Sequence, residues 1–106
     1  MKTTGLMATL LLLSVNVMAQ APSLMSRART AYAAKNWSQA AELYRQVHRS
    51  SDAWPAAKEE LGWTYFRQGE WQLAVAQARA LTNPYLRSQI DLEPFLLEAL
   101  VHLKTC

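Results

Sequence analysis

The sequence predicts an all-α fold of antiparallel helix hairpins. The stretch from Leu61 to Leu81 divides into two helical segments at Gly69. Elsewhere apolar residues recur at i, i+3, i+4 and i+7, and strand-like alternation is absent. The chain also matches itself at an offset of 34 residues: Trp37 falls on Trp71, Ala40 on Ala74, Tyr32 on Phe66 and Ala28 on Gly62. A hairpin repeated at a fixed interval stacks into an α-solenoid, here two hairpins plus one further helix.

Taken in order, the chain opens with Lys2 and an apolar run from Leu6 to Val17, ending in Val17-Met18-Ala19. This is the pattern of a secretory signal peptide cut after Ala19. The run is about 13 residues long, short of the roughly 18–20 that span a bilayer, so an uncleaved anchor is the weaker reading. Residues 1–19 are therefore assigned to the signal and 20–106 to the helical domain.

Ser23 is placed to cap a first helix, Leu24 to Ala34, with Leu24, Arg27, Ala28 and Ala31 inward and Met25, Arg29 and Tyr32 on another face. Lys35-Asn36 makes a turn. Asn36 and Gln39 then form a capping-box pattern for a second helix from Trp37 to about Arg49, whose apolar face is Ala40, Leu43, Tyr44 and Val47. Ser50-Ser51-Asp52 is a loop, with Asp52 expected to cap a third helix from Pro55 to Gln68. Proline suits that first turn because its missing N–H has no duty there.

Within the third helix Leu61, Tyr65 and Gln68 share a face; in the fourth, Glu70 to Leu81, the bulk comes from Leu73, Val75 and Leu81. Gly62 and Ala74 are small where two helices should approach most closely. Gly69 suits a left-handed cap. Thr82-Asn83-Pro84 ends the fourth helix, and 85–91 is read as a turn or loop. Pro94 begins a fifth helix, Phe95 to about Lys104, apolar on almost every side.

On Leu61-Gly62, Tyr65, Gly69, Trp71 and Ala74, and more weakly on Ala28, Trp37, Ala40 and Tyr44, the chain resembles the tetratricopeptide repeat family. Units fall at about 21–54 and 55–88, with a partial third at 89–106. The sequence departs from the family pattern at Arg27, Ala31, Lys58 and Ala78. The resemblance implies that the first helix of each unit lines a concave groove, which would hold Met25, Arg29, Tyr32, Glu59, Trp63, Phe66 and Arg67. Aromatics flanked by arginines suit a peptide, through apolar contact and charge-assisted hydrogen bonds. The competing reading packs Tyr32 and Phe66 between helices and leaves the arginines solvated.

The remaining chemistry is sparse. After signal removal ten basic residues face eight acidic ones, with no Lys or Arg run to suggest nucleic acid. The single cysteine, Cys106, cannot form an internal disulfide. His48 and His102 could hold a metal with Cys106 only if remote helices converged, so no metal or cofactor is expected. Glu59 and Glu60 are adjacent, which on a helix splays them by about 100°. Solvated surface charge is the expectation for the pair. No nucleophile elbow or phosphate loop is present.

The expected function is a non-enzymatic protein-binding or scaffolding module of the periplasm or cell envelope. It has no membrane span once the signal is removed. One alternative is a structural subunit that self-associates through residues 95–103. Another is the N-terminal fragment of a longer envelope protein, or an accessory domain of an envelope enzyme. The uncovered fifth helix motivates both.

Overall fold

The computed structural model describes residues 22–86 and 91–106, and the signal reading of 1–19 lies outside them. Among the described residues the chain forms five α-helices and no strand. They are α1 (Leu24–Ala33), α2 (Trp37–Arg45), α3 (Trp54–Gln68), α4 (Trp71–Leu81) and α5 (Glu93–Thr105); Pro84–Leu86 is a 3-10 turn. Each helix packs on the next, and α3 also touches α5.

Two turns have the same construction. Lys35 adopts φ 61° and Gly69 φ 74°. In the first, Lys35 N–H donates to Tyr32 C=O and Asn36 N–H to Ala31 C=O. In the second, Gly69 N–H donates to Phe66 C=O and Glu70 N–H to Tyr65 C=O. Both are Schellman caps. The following residues match too, Asn36 at φ −87°, ψ 76° and Glu70 at φ −86°, ψ 73°. Lys35 carries a side chain where glycine is favoured, at a cost of about 1–2 kcal/mol. Lys35→Gly is therefore expected to stabilise the fold by about 0.5–1 kcal/mol once glycine's extra unfolded-state freedom is set against that gain. Denaturant melts of the two proteins check the sign.

Ser23 caps α1 as expected, its Oγ accepting from Ser26 N–H at 3.1 Å. The Asn36–Gln39 box is altered. Asn36 Oδ1 accepts from Gln39 N–H at 3.4 Å, but Gln39 Oε1 takes the Asn36 side-chain amide at 2.8 Å. It does so because Asn36 N–H is already given to Ala31 C=O.

Helix α2 ends at Arg45, four residues before the expected Arg49. Its last turn tightens, with Gln46 and Val47 N–H donating three residues back to Leu43 and Tyr44. Beyond it His48 Nδ1 takes the Ser50 N–H at 3.1 Å, a local bond that competes with helix continuation. Asp52 does not cap α3. Ser51 Oγ accepts from Ala53 N–H instead, and Pro55 lies in the first turn without a side-chain cap. In α5, Asp91 Oδ1 accepts from Glu93 N–H at 3.1 Å, and Pro94 again sits in the first turn.

The core is rich in alanine: Ala28, Ala31, Ala40, Ala41, Ala57, Ala74 and Ala78 are buried with Leu43, Tyr44, Leu61, Tyr65, Val75 and Leu81. Small side chains let the helices approach closely. Three residues expected inward are not: Arg27 and Gln68 are exposed, and Leu73 is 45% exposed. Ala41 and Ala78, which the sequence reading did not place inward, are buried.

Gly62 serves a contact beyond the hairpin. A Cβ there would lie 3.6 Å from Ala74 C=O, but only 2.6 Å from Leu97 Cδ2. The hole at Gly62 is thus filled by α5, and Leu97, Val101 and Pro94 are its buried side. Phe95, Leu96 and Leu103 on the rest of α5 are at least half exposed.

Candidate functional site

The residues assigned to the groove lie on α1 and α3, and the structure brings only some of them together. Arg29, Tyr32 and Trp63 line one pocket of about 200 Å³ between these helices, with Tyr44 and Glu60. Met25 packs against the core cluster. Phe66 is a bridge in an aromatic row, edge-on to Trp63 at 5.7 Å and to Trp71 at 5.3 Å. Arg67 lies over the Trp37 ring at 6.0 Å. Tyr32 forms a separate edge-on pair with Trp37 at 4.9 Å.

The pocket is organised by Glu60, which the sequence reading left in solvent. Arg29 Nε donates to Glu60 Oε1 at 2.7 Å and Nη2 to Oε2 at 2.8 Å. Such a two-pronged pair fixes both side chains in one plane. Tyr44 Oη also donates to Glu60 Oε1, at 3.3 Å. The Glu60 side chain is 27% exposed and Arg29 57%, so the pair sits at the pocket edge with its carboxylate sheltered. The hydrogen bond and charge of Glu60 raise the Arg29 pKa further. Burial, then the Glu60 charge, push the Tyr44 hydroxyl well above its ordinary value. Both groups keep one protonation state across the physiological range.

Trp63 is held from the far side. Its Nε1–H donates to Glu93 Oε2 at 2.9 Å, linking α3 to the start of α5. Glu59 is half-buried beside this contact. Burial, and then the negative charges of Asp91, Glu93 and Glu60, raise its pKa. A carboxyl whose folded pKa lies above its unfolded one binds protons more tightly when folded, so its stability penalty is present at neutral pH and relieved by acid. Glu59→Gln should accordingly raise the melting temperature at pH 7. The gain should close as pH falls below about 4, where both proteins carry a neutral group. A gain that persists there would assign the effect to something other than charge.

Glu60 and Tyr44 are the site residues that sequence reasoning missed. Tyr44 was legible as core, which it also is. Glu60 was obscured by its neighbour Glu59, although a basic residue on the first helix facing an acidic one on the third was available as a signal in Arg29. Among the described residues no group of three or more His, Cys, Asp or Glu converges to hold a metal ion. No described helix is long and apolar enough to cross a membrane. Comparison with protein-family models, curated proteins and solved structures gives no match.

Proposed function

We propose that this chain is an exported, non-enzymatic repeat module of the tetratricopeptide kind, holding a protein or peptide segment against the face of α1, α3 and α5. The observation that carries this reading is the side-chain-sized pocket between α1 and α3. Of its aromatic walls, Trp63 is held by Glu93 at the start of α5, and Tyr44 of α2 is tied to the Glu60 carboxylate. Braced aromatics lose little freedom on binding, which favours recognition. The two matching Schellman turns, 34 residues apart, support a repeat architecture. The signal-like segment before residue 20 supports export to the periplasm or envelope.

The test uses the chain purified from an exporting host as bait in envelope extract. Arg67→Glu, on α3, should lose the captured partner while its melting temperature shifts little, because an exposed cation–π contact is worth only about 0.5–1 kcal/mol. Gln72→Glu, exposed on α4, should retain it. Loss with the α4 variant and retention with the α3 variant would overturn the assignment of the face.

A second reading, assembly through α5, is favoured by the exposure of Phe95, Leu96 and Leu103. Sedimentation across a concentration series tests it: association abolished by Leu96→Glu supports it, and a monomer at all concentrations removes it.

A further inference from the structure

A second hollow shares no residue with the aromatic pocket between α1 and α3. It holds about 350 Å³ and is lined by Arg49 from the loop after α2, Trp54 at the start of α3, Ala80 of α4, and Asn83, Tyr85 and Leu86 beyond α4. Its charge is one-sided. The Arg49 guanidinium lies 6.0 Å from the centre of the Trp54 ring, and the Lys58 ammonium 5.6 Å. Arg29, Arg45 and Arg79 each have a carboxylate partner, whereas Arg49 and Lys58 have none among the described residues. Lys58 donates instead to a neutral group, Gln77 Oε1, at 3.0 Å. No carboxylate lines the hollow; Asp52, the acidic residue nearest to Trp54 in sequence, is exposed outside it. Asn83 adds an oriented donor. Its Oδ1 accepts from Tyr85 N–H at 3.0 Å, which leaves the Nδ2 hydrogens for another acceptor. Tyr85 itself is 92% exposed, an aromatic ring standing in water.

We propose that this hollow binds a small organic anion, a phosphate or carboxylate carried on a ring. The proposal is independent of the protein-binding face. Arginine's planar fork matches the oxygens of either group, and the Asn83 amide supplies a further donor. The ring of the ligand lies against Trp54 and Tyr85, which removes exposed aromatic surface from water. An anion also offsets the repulsion between two cations gathered at one indole, while a neutral ligand would leave Arg49 without a counter-charge and a cationic one would be repelled. The volume falls within the roughly 300–1,000 Å³ of small-molecule sites, which are aromatic-lined with a few placed polar groups.

The probes are phenyl phosphate, inorganic phosphate and benzyl alcohol, which offer ring and anion together, the anion alone and the ring alone. Each is titrated into the ¹⁵N-labelled full chain, and the Trp54 indole N–H and the Asn83 and Tyr85 amides are followed. Phenyl phosphate should bind about tenfold more tightly than either of the others. Arg49→Gln should remove about tenfold of that affinity. Tyr85→Ser should bring it close to that of inorganic phosphate. Both positions are exposed, and melting curves confirm that the variants are folded. Vesicles then identify the source of the anion. Cosedimentation with phosphatidylglycerol but not phosphatidylcholine, lost in Arg49→Gln, assigns it to a lipid headgroup; phenyl phosphate binding without cosedimentation assigns it to a soluble ligand. Benzyl alcohol or inorganic phosphate binding as tightly as phenyl phosphate would overturn the proposal. Shifts indifferent to both substitutions, or no shifts at these resonances with phenyl phosphate, would overturn it as well.

Discussion

Leu97→Ala should lower stability by about 2–5 kcal/mol, the range for truncating a leucine in a packed site. Leu97 is 0% exposed, and its Cδ2 occupies the space that a Cβ on residue 62 would claim, 2.6 Å away. Helix α5 packs on α4 and also touches α3, where Leu97 fills the hollow at Gly62 and Glu93 accepts from Trp63. Gly62→Val should cost about 3 kcal/mol or more, because it fills the same space from the opposite side and the buried leucine has little room to retreat. Gly62→Ala combined with Leu97→Ala should then cost less than the sum of those two single substitutions, since the added methyl partly fills the cavity left by the leucine. Chemical denaturation of Gly62→Ala, Leu97→Ala and the double variant gives the cycle. Strict additivity would mean that the two residues do not meet.

Ala40→Leu and Ala74→Leu should each cost about 1–3 kcal/mol or more through overpacking. Both alanines are 0% exposed, on α2 and α4, 34 residues apart. Ala74 lies opposite Gly62, where a Cβ would already stand 3.6 Å from the Ala74 carbonyl. Added side-chain volume there can be accommodated only by moving a backbone. Gln72→Lys, exposed on the same helix, should stay within about 0.5 kcal/mol. If the two alanine variants melted like the wild type, the close approach of the helices would be contradicted.

Much of the fold was legible because it depends on short-range chemistry. Ser23 at a helix start, Gly69 in a left-handed turn and proline in the first turn of α3 and α5 act through their own backbone or the next few residues. The end of α2 was misread for a related reason. Val47 continues the apolar period, but His48 and Ser50 offer the backbone a local alternative that periodicity does not register. Asp52 and Ser51 compete for one capping role, and the serine sits two residues before the free N–H of Ala53.

The candidate site was less legible because it is assembled across helices. Arg29 and Glu60 are 31 residues apart, and neither shows in sequence that it will be consumed by the other. Leu73, expected in the core, faces outward because the buried stripe of α4 runs through Ala74, Val75, Ala78 and Leu81, about 100° round the helix from it. Identifying the aromatics of α3 did not reveal which would be braced. Only the approach of Glu93 from α5 distinguishes Trp63.

The central claim is that α1, α3 and α5 present one face to a protein segment, and site-specific photo-crosslinking tests it most directly. A photoreactive phenylalanine analogue is placed at Arg67 on α3 and, separately, at Gln72 on α4, and the chain is irradiated in its exporting host. The account predicts a discrete heavier adduct from position 67 and none from position 72. Adducts from position 72 alone would contradict it, because the partner would then lie against α4 and not against the face of α1, α3 and α5.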